Sequence, residues 1–261
     1  MLVSRGSKIY ICGFELRCHL PVQIKLEGID VDGVDTSNRS MSLRKVLLQR
    51  GEFDSFRIPI LKKVNFEANP GDRIGVIGRN GSGKSSLLKA IAGIYPISSG
   101  KRTVVGNIAP LIEMGIGFDP EMSGRQNIVL GLLYSGRIEE HCRELEDLVI
   151  EFSELGDHID LPVKNYSSGM VSRLAFSIAI FQHPDILLLD EVFAAGDLGF
   201  VNKSKRIMED KFTSVPISIL VNHSSEEIIE LCNKCYWFVD GEVKMVGKPK
   251  DVVGEYVKAI G

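Results

Sequence analysis

The stretch GRNGSGKSS at residues 78–86 decides the fold of this chain. It fits the phosphate-binding loop pattern G-x-x-x-x-G-K-[ST], with Gly78, Gly83, Lys84 and Ser85 at the fixed positions. Glycines let backbone N–H groups turn inward around phosphate oxygens, which a Cβ atom would obstruct. The lysine supplies positive charge for the β- and γ-phosphates, and the serine hydroxyl is placed to bind Mg²⁺. The sequence therefore predicts an ATP-type phosphate site comprising Gly78, Arg79, Asn80, Gly81, Ser82, Gly83, Lys84, Ser85 and Ser86.

The segments on either side of this loop support the same interpretation. The preceding RIGVIG is a short apolar run typical of a strand, and the following SSLLKAIAGI is typical of a helix. The positive N-terminal end of that helix would face the bound anion. Such a pattern arises by chance in about 1–2% of chains of this length and glycine content. The phosphate site is therefore a strong prediction before any second motif is considered.

Length and composition limit the remaining possibilities. With 261 residues, the chain holds one large domain or a domain with a subdomain. The formal net charge of −3 gives no general attraction to nucleic acid, so we expect no nucleic-acid partner. The longest apolar run, LAFSIAIF at 174–181, is far shorter than the ~20 residues that span a bilayer. Five cysteines, an odd number, fit reduced thiols in a protein facing the cytosol.

A single C-x-x-C pair, Cys232 and Cys235, falls in a segment that we interpret as the end of a helix over 225–234. A zinc or redox role requires a second ligand pair or a thioredoxin-like context. Cys12, Cys18 and His19 do not complete any common zinc spacing. We therefore expect no structural zinc and no thiol catalysis.

Strand-like and helix-like segments alternate along most of the chain, which predicts an α/β fold with a mostly parallel core sheet covered on both faces. Short strand-like segments before and after the phosphate loop predict a small antiparallel β region. Residues 118–165 interrupt the alternation with a helical pattern and are a candidate helical subdomain. We divide the chain into an N-terminal extension (1–21), a main domain (22–247) and a short C-terminal helix (248–261).

The run PDILLLDE at 184–191 ends in two acids and is typical of a strand buried on both faces. Asp190 would stand at the carboxyl end of this strand, where open α/β sheets bind ligands, and could hold Mg²⁺ through water. Glu191 would orient and polarise an attacking water. An apolar strand ending in Asp-Glu is common on its own; the phosphate loop upstream is what favours the catalytic interpretation.

Two further segments allow either a structural or a functional interpretation. In NYSSGMVSRLAFSIAI, Ser167, Ser168 and Gly169 precede a helix and could form a second anion site, although spacing alone favours a plain helix cap. In VNHSSEE, His223 follows an apolar strand. Such a histidine is usually structural, but here it would share a sheet edge with Asp190 and could contact a γ-phosphate.

The motifs GRNGSGKS, YSSGM, ILLLDE and NHS, in this order, resemble the ATP-binding cassette of ABC transporters over roughly residues 22–247. YSSGM resembles the family's signature loop but differs from the commoner LSGGQ at Tyr166, Ser168 and Met170. This variant, followed by RLAFSIA, is similar to the ATPase subunits of bacterial polysaccharide exporters. LIEMGIGFDPEMSGRQNI (111–128) agrees, as does DEVFAAGD (190–197), which resembles the D-loop with Asp197.

The resemblance implies an ATPase with ATP and Mg²⁺ as ligands and with Glu191 and His223 as catalytic residues. It implies a homodimer in which each ATP lies between the Lys84 loop of one copy and the signature loop (Ser167, Ser168, Gly169 and Met170) of the other. It also implies a separate transmembrane permease and a peripheral position on the cytoplasmic face of the inner membrane. The implied cargo is lipid-linked polysaccharide, with O-antigen as first choice and capsule glycan or teichoic acid as alternatives. A soluble, non-transport ATPase switch is the runner-up from another class.

Three departures from the family pattern affect these expectations. Glu113 stands where most cassettes have a glutamine that senses Mg²⁺, and a carboxylate there would add negative charge near the metal. No aromatic residue follows the first strand directly, which leaves Phe53 or Phe56 to stack on adenine. Some exporters of this kind have a C-terminal carbohydrate-binding domain, and we expect none here. In the unusual connection at 32–58, SLRKVLLQR (42–50) is either a packed surface helix or a basic amphipathic helix at the membrane face.

Overall fold

The structure of the chain, a computed structural model, describes residues 3–5, 8–11, 14–17, 21–34, 57–112, 117–134, 139–190 and 198–260. The strands within these ranges are β1 (Val3–Arg5), β2 (Lys8–Ile11), β3 (Phe14–Arg17), β4 (Gln23–Val34), β5 (Arg57–Ala68), β6 (Arg73–Ile77), β7 (Ser99–Val105), β8 (Ile108–Leu111), β9 (Ile186–Asp190), β10 (Ile217–Val221), β11 (Lys234–Val239) and β12 (Glu242–Gly247). The helices are α1 (Lys84–Ala92), α2 (Gly124–Tyr134), α3 (Glu139–Ser153), α4 (Ser168–Phe181), α5 (Leu198–Ser214), α6 (Ser225–Leu231) and α7 (Pro249–Ile260). Two short 3₁₀ helices, Gly156–Asp160 and Val163–Asn165, lie between α3 and α4.

The core sheet has six strands in the order β12-β11-β6-β10-β9-β8. β11, β6, β10, β9 and β8 are parallel to one another, and β12 pairs antiparallel with β11 at the edge. Strands β9 and β10 are continuous apolar runs because both of their faces are covered, as parallel sheets require. This arrangement confirms the predicted α/β fold with a mostly parallel core sheet.

Alternate residues of the central strands enter two different hydrophobic clusters. In β9, Ile186 and Leu188 join the cluster formed with α1 and the antiparallel strands, whereas Leu187 and Leu189 join the cluster formed with α4 to α7. Side chains of a strand point to opposite faces in turn, so one apolar run supplies both clusters. Because these side chains are fully buried, truncating any one to alanine would cost about 2–5 kcal/mol.

A second sheet, in the order β5-β4-β7, is antiparallel throughout and confirms the predicted small antiparallel β region. On β5 the side chains of Leu61, Val64, Phe66 and Ala68 face the first cluster. Strands β1 to β3 form a further antiparallel sheet in the segment 1–21, for which the sequence suggested only an extension.

Helices α2, α3 and α4 pack around a third hydrophobic cluster. Its buried members are Ile128, Leu132, Val149, Leu155, Ile159, Val163, Leu174 and Ile178. Leu174 and Ile178 belong to α4, so the packed helical unit continues past residue 165, where the sequence analysis ended the helical subdomain. The polar face of this unit carries an ion network in which Arg125 contacts both Glu146 and Asp160.

The predicted helix over 225–234 is too long. Helix α6 ends at Leu231, and Cys235 lies in β11, where it pairs with Gly75 of β6. Both thiols are buried; burial raises the pKa of Cys235 to about 12 and raises that of Cys232 still further. The two thiols are therefore protonated at neutral pH, a state in which they are neither nucleophiles nor good metal ligands.

Glycine at position 75 allows α6 to pack directly on the backbone of β6. A Cβ atom built on Gly75 would lie 2.7 Å from Ile228 Cγ2 and 3.3 Å from Cys232 Sγ. We predict that Gly75→Val lowers the free energy of unfolding by about 1–3 kcal/mol, because the added methyl groups overfill this contact. Urea unfolding followed by circular dichroism measures the change.

The control is Gly254→Ala in α7, where an added Cβ meets no atom within 4 Å. We expect this variant to be neutral or more stable by up to about 1 kcal/mol, since alanine favours helix. An unfolding midpoint of Gly75→Val equal to that of the wild type would contradict the packing argument.

Candidate nucleotide-binding site

The loop between β6 and α1 has a backbone that only glycine allows at its key positions. A Cβ on Gly78 would lie 2.4 Å from the Phe238 carbonyl oxygen and 2.6 Å from Ser82 Oγ. Gly81 and Gly83 have φ of 79° and 102°, in the left-handed region that other residues avoid. The glycines predicted from the phosphate-loop pattern are thus required by the geometry of the loop itself.

Lys84 is the first residue of α1, and its side chain turns back into the loop. The Nζ atom donates hydrogen bonds to the Gly78 carbonyl at 2.9 Å and to the Arg79 carbonyl at 3.1 Å. The residue is only 6% exposed. A buried ammonium needs polar partners, and two carbonyl oxygens of the loop hold this one in place. The loop therefore carries a fixed positive charge at its centre.

The N-terminal end of α1 adds hydrogen-bond donors to the same loop. Gly83 caps the helix with no side-chain hydrogen bond, and the first turn contains no acidic residue. The first N–H groups of the helix and its positive dipole end are therefore available to an anion. Ser82 Oγ is buried and has no hydrogen-bond partner within the described residues. An orphaned hydroxyl beside a glycine-lined loop is what a missing oxygen-rich ligand would satisfy.

Asp190 and His223 reach the edge of the sheet where this loop begins. Asp190 of β9 is the register partner of Val221 in β10, and Val221 is the partner of Val76 in β6. Asp190 is thus two strand spacings, ~10 Å, from the end of β6. His223 follows β10 by two residues and is exposed. The structure therefore brings the phosphate loop, Asp190 and His223 together at one edge.

His223 sits in a turn with a defined hydrogen-bond pattern. Ser224 caps α6 and accepts a bond from Glu227 N at 3.3 Å, while Ser224 N donates to Asn222 Oδ1 at 2.9 Å. The histidine lines a cleft of about 530 Å³ with Gly78, Arg79, Asn80, Tyr256, Ala259 and Ile260. The last three belong to α7 and were not identified from the sequence, since an amphipathic C-terminal helix gives no sign of which residues reach a distant loop.

The signature segment belongs to the helical unit. Ser167 caps α4 by accepting a bond from Met170 N at 3.3 Å, so the plain cap considered above is present. Ser167 and Ser168 are exposed, whereas Met170 packs against the third cluster. The Tyr166 hydroxyl donates to the His158 carbonyl at 2.7 Å, and burial raises the pKa of this phenol, which keeps it a donor. The signature loop therefore exposes the Ser167 and Ser168 side chains, while Tyr166 and Met170 hold it on the helical unit.

Several predicted residues lie outside the described residues. These are Glu113, Glu191 and Asp197, the two candidates for adenine stacking, Phe53 and Phe56, and the basic segment 42–50. Their roles stay predictions from the sequence.

Comparison with known proteins adds independent evidence. The ABC transporter family matches residues 61–194. An O-antigen export system ATP-binding protein of Myxococcus xanthus is 41% identical over 88% of this chain and 53% of its own length. One of Yersinia enterocolitica is 42% identical over 69% of this chain and 75% of its own length. A teichoic acids export ATP-binding protein of Lactococcus lactis is 40% identical over 77% and 43% respectively. The chain thus spans about half the length of the first of these relatives.

Solved structures agree on the fold. The dimeric post-hydrolysis structure of the ATP-binding cassette MJ0796, bound to ADP and Pi, has a TM-score of 0.65 over 87% of this chain and 98% of its own, at 18% identity. The structure of an ABC transporter ATP-binding subunit has a TM-score of 0.67 over 91% and 95%, at 17% identity. Together with the family match and the Yersinia relative, the architecture leads to one conclusion: this chain belongs to the ABC transporter family.

Proposed function

We propose that this chain binds MgATP, hydrolyses it, and so drives the export of a lipid-linked polysaccharide through a separate membrane subunit. The observation that carries the proposal is the phosphate loop. It combines a backbone that excludes Cβ atoms, a buried lysine ammonium and an orphaned buried hydroxyl in one cradle. A triphosphate satisfies all three features at once.

The loop would bind the phosphates through a positive charge and through N–H groups that point towards them. The Lys84 ammonium supplies the positive charge, and the N–H groups at the start of α1 donate to phosphate oxygens. The cleft lined by Arg79, Asn80 and His223 gives the terminal phosphate a place to sit. Because these groups are fixed by the fold before ATP arrives, little reorganisation is needed on binding.

The residues near the loop also fit a magnesium ion. Ser85, at the start of α1, offers a hydroxyl, and Asp190 offers a carboxylate at the same sheet edge. Oxygen ligands of this kind, completed by water and phosphate, are what Mg²⁺ prefers. When bound, the ion would neutralise charge on the β- and γ-phosphates. Glu113 is a further candidate for the metal site from the sequence.

We assign hydrolysis to Glu191 and His223. Glu191 directly follows Asp190 and would orient and polarise the attacking water. His223, exposed beside the phosphate loop, would contact the γ-phosphate. In the sequence Glu191 follows β9 and His223 follows β10, and these two strands are neighbours in the core sheet.

The second half of the site would come from a second copy of the chain. In one chain the signature loop (Ser167, Ser168, Gly169 and Met170) packs on the third hydrophobic cluster through Met170, whereas β6, which leads into the phosphate loop, contributes Ile74 and Val76 to the first. A head-to-tail homodimer would place this loop on the partner's nucleotide, with Asp197 near the contact. The comparison structure of MJ0796 is a dimer bound to ADP and Pi, which supports this arrangement.

The export role rests on the relatives. The Myxococcus and Yersinia proteins are O-antigen export system ATP-binding proteins, and the Lactococcus protein is a teichoic acids export ATP-binding protein. We propose O-antigen as the cargo of this chain, with teichoic acid or capsule glycan as alternatives. A soluble ATPase switch is disfavoured, because these relatives are all export proteins.

The proposed location is the cytoplasmic face of the inner membrane, where the chain would bind a permease through its helical unit. Within the described ranges, no helix combines the length and apolar character needed to cross a bilayer. The proposed division of the chain is an ABC ATPase domain at 22–247, with an extension before it and a short helix after it.

We predict that Lys84→Ala weakens MgATP binding at least about tenfold, because the charged contact to the phosphates is lost. Isothermal titration of the purified chain measures this. The matched control is Lys89→Ala on the same helix, where the ammonium lies over the Tyr95 ring rather than in the loop. Unchanged affinity in Lys84→Ala would overturn the assignment of the nucleotide site.

We predict that Glu191→Gln reduces ATP turnover about 100-fold or more while ATP remains bound, since glutamine keeps the shape but loses the carboxylate. Gel filtration with ATP should then show a trapped dimer. His223→Ala should likewise lose hydrolysis and retain binding. Glu226→Gln, an exposed change in the first turn of α6, is the control. A turnover rate near that of the wild type would remove Glu191 from catalysis.

We predict that a charge reversal on the exposed surface of residues 117–127 prevents co-purification with the permease. Glu121 is suitable because it pairs with Lys164 at the surface, where such a pair contributes at most about 1 kcal/mol to folding. Glu121→Lys should lose permease binding and export in cells. The double variant with Lys164→Glu restores the ion pair but not the original surface, and should stay defective. Recovery in the double variant would show that only the ion pair mattered.

A further inference from the structure

Glu227, in the first turn of α6, uses both oxygens of its carboxylate. Oε1 accepts from the Lys205 ammonium of α5, and Oε2 accepts from the Asn222 side-chain amide. Its side chain is 24% exposed and that of Lys205 is 38% exposed. The hydrogen bond to Glu227 raises the pKa of Lys205, which favours the ammonium form that this contact needs. One partly buried carboxylate thus joins two separate parts of the chain.

This use of Glu227 differs from ordinary helix capping. Ser224 at the cap and Glu227 three residues later have the spacing of a capping box, in which the glutamate accepts from the backbone N–H of the cap residue. Here Asn222 Oδ1 accepts that N–H instead, at 2.9 Å. The carboxylate is thereby left to hold the amide of Asn222 and the ammonium of Lys205. The two residues that flank His223, Asn222 and Ser224, are both held in this network.

Lys205 connects the turn at residues 222–224 to α5, and α5 makes further contacts with other parts of the chain. Helix α5 begins at Leu198, directly after the segment that contains Glu191 and Asp197. Further along, Lys211 donates to the Ile180 carbonyl at 2.6 Å, at the C-terminal end of α4. Near its start, Lys203 pairs with Glu154 at 3.0 Å. Helix α5 therefore contacts the end of α4, Glu154 of the helical unit and, through Glu227, the turn that contains His223.

We propose that Glu227, held by Lys205, is a positioning residue that fixes the His223 turn relative to α5. The inference rests on the proposed function of His223 in ATP hydrolysis. Glu227 acts by holding Asn222 and by joining the turn to a second element. Misplacing a catalytic group by about 1 Å lowers turnover by up to about 100-fold, so a positioning contact has a measurable effect on rate.

The test uses Lys205→Met, Glu227→Gln and their combination. Methionine keeps the apolar stem of lysine, and glutamine can accept only one of the two bonds that the carboxylate accepts. We expect each single variant to lower kcat about 10- to 100-fold with KM and Kd for MgATP unchanged. Because both changes remove the same Lys205–Glu227 ion pair, the double variant should be no slower than the slower single variant. Lys205→Arg keeps the ion pair and should retain the wild-type kcat.

Arg206→Met is the matched control: it removes the same charge from the exposed next residue of the same helix. Its kcat should equal that of the wild type. Urea unfolding of every variant separates positioning from stability. Wild-type kcat in both single variants, or additive losses that follow the unfolding midpoints, would overturn the inference.

A readout independent of turnover separates this inference from the proposed function. The ring resonances of His223, followed by NMR in the chain without nucleotide, should shift in Glu227→Gln and Lys205→Met and stay in place in Arg206→Met. If the wild-type chain hydrolyses no ATP, the proposed function fails, and the ring resonances alone decide the inference. Unmoved resonances in both variants would refute the positioning role, and shifted resonances would support it.

Discussion

The parallel register of β6, β10 and β9 is the constraint on which the site depends. This register aligns Val76, Val221 and Asp190. As a result, the phosphate loop after β6, the turn that contains His223 and Asp190 itself lie at one edge of the sheet. A slip of one residue would exchange the faces of an entire strand. In β9 it would send Leu187 and Leu189 into the cluster of Ile186 and Leu188 and turn Asp190 to the wrong side. The two hydrophobic clusters therefore hold the catalytic geometry as well as the fold.

Local patterns in the sequence predict the site well where its structure is local. The phosphate loop needs glycines at particular positions of its own backbone, and those positions appear in the pattern. Strand β9 needs residues suited to two buried faces, and its apolar run shows them. The order of motifs along the chain then indicates which strand ends meet. For these reasons the core sheet, the antiparallel region and the placement of Asp190 and His223 were predictable.

Contacts between distant segments were not predictable. The sequence extended α6 to residue 234, but β11 begins at Lys234 because it pairs with β6, about 160 residues earlier in the chain. In the same way, position 75 requires glycine because α6 packs on it. Position 78 requires glycine because the Phe238 carbonyl lies close to it. The residues of α7 that line the cleft with His223 also depend on such packing. The hydrophobic pattern of one segment does not show which distant segment it packs against.

In the signature loop, the atom with an observed structural role is also the one with a proposed functional role. Ser167 Oγ accepts the N–H of Met170 and caps α4, which is the structural alternative. A hydroxyl has one donor hydrogen and two acceptor lone pairs, so accepting one bond leaves the hydrogen free to be directed elsewhere. Capping also fixes the rotamer, which directs that hydrogen more sharply than an uncapped serine would. Met170 packs on the third hydrophobic cluster and so anchors the loop without adding a polar group. In the proposed homodimer, a phosphate on the partner copy would meet a preoriented serine hydroxyl and the N–H groups of the first turn that the cap does not use.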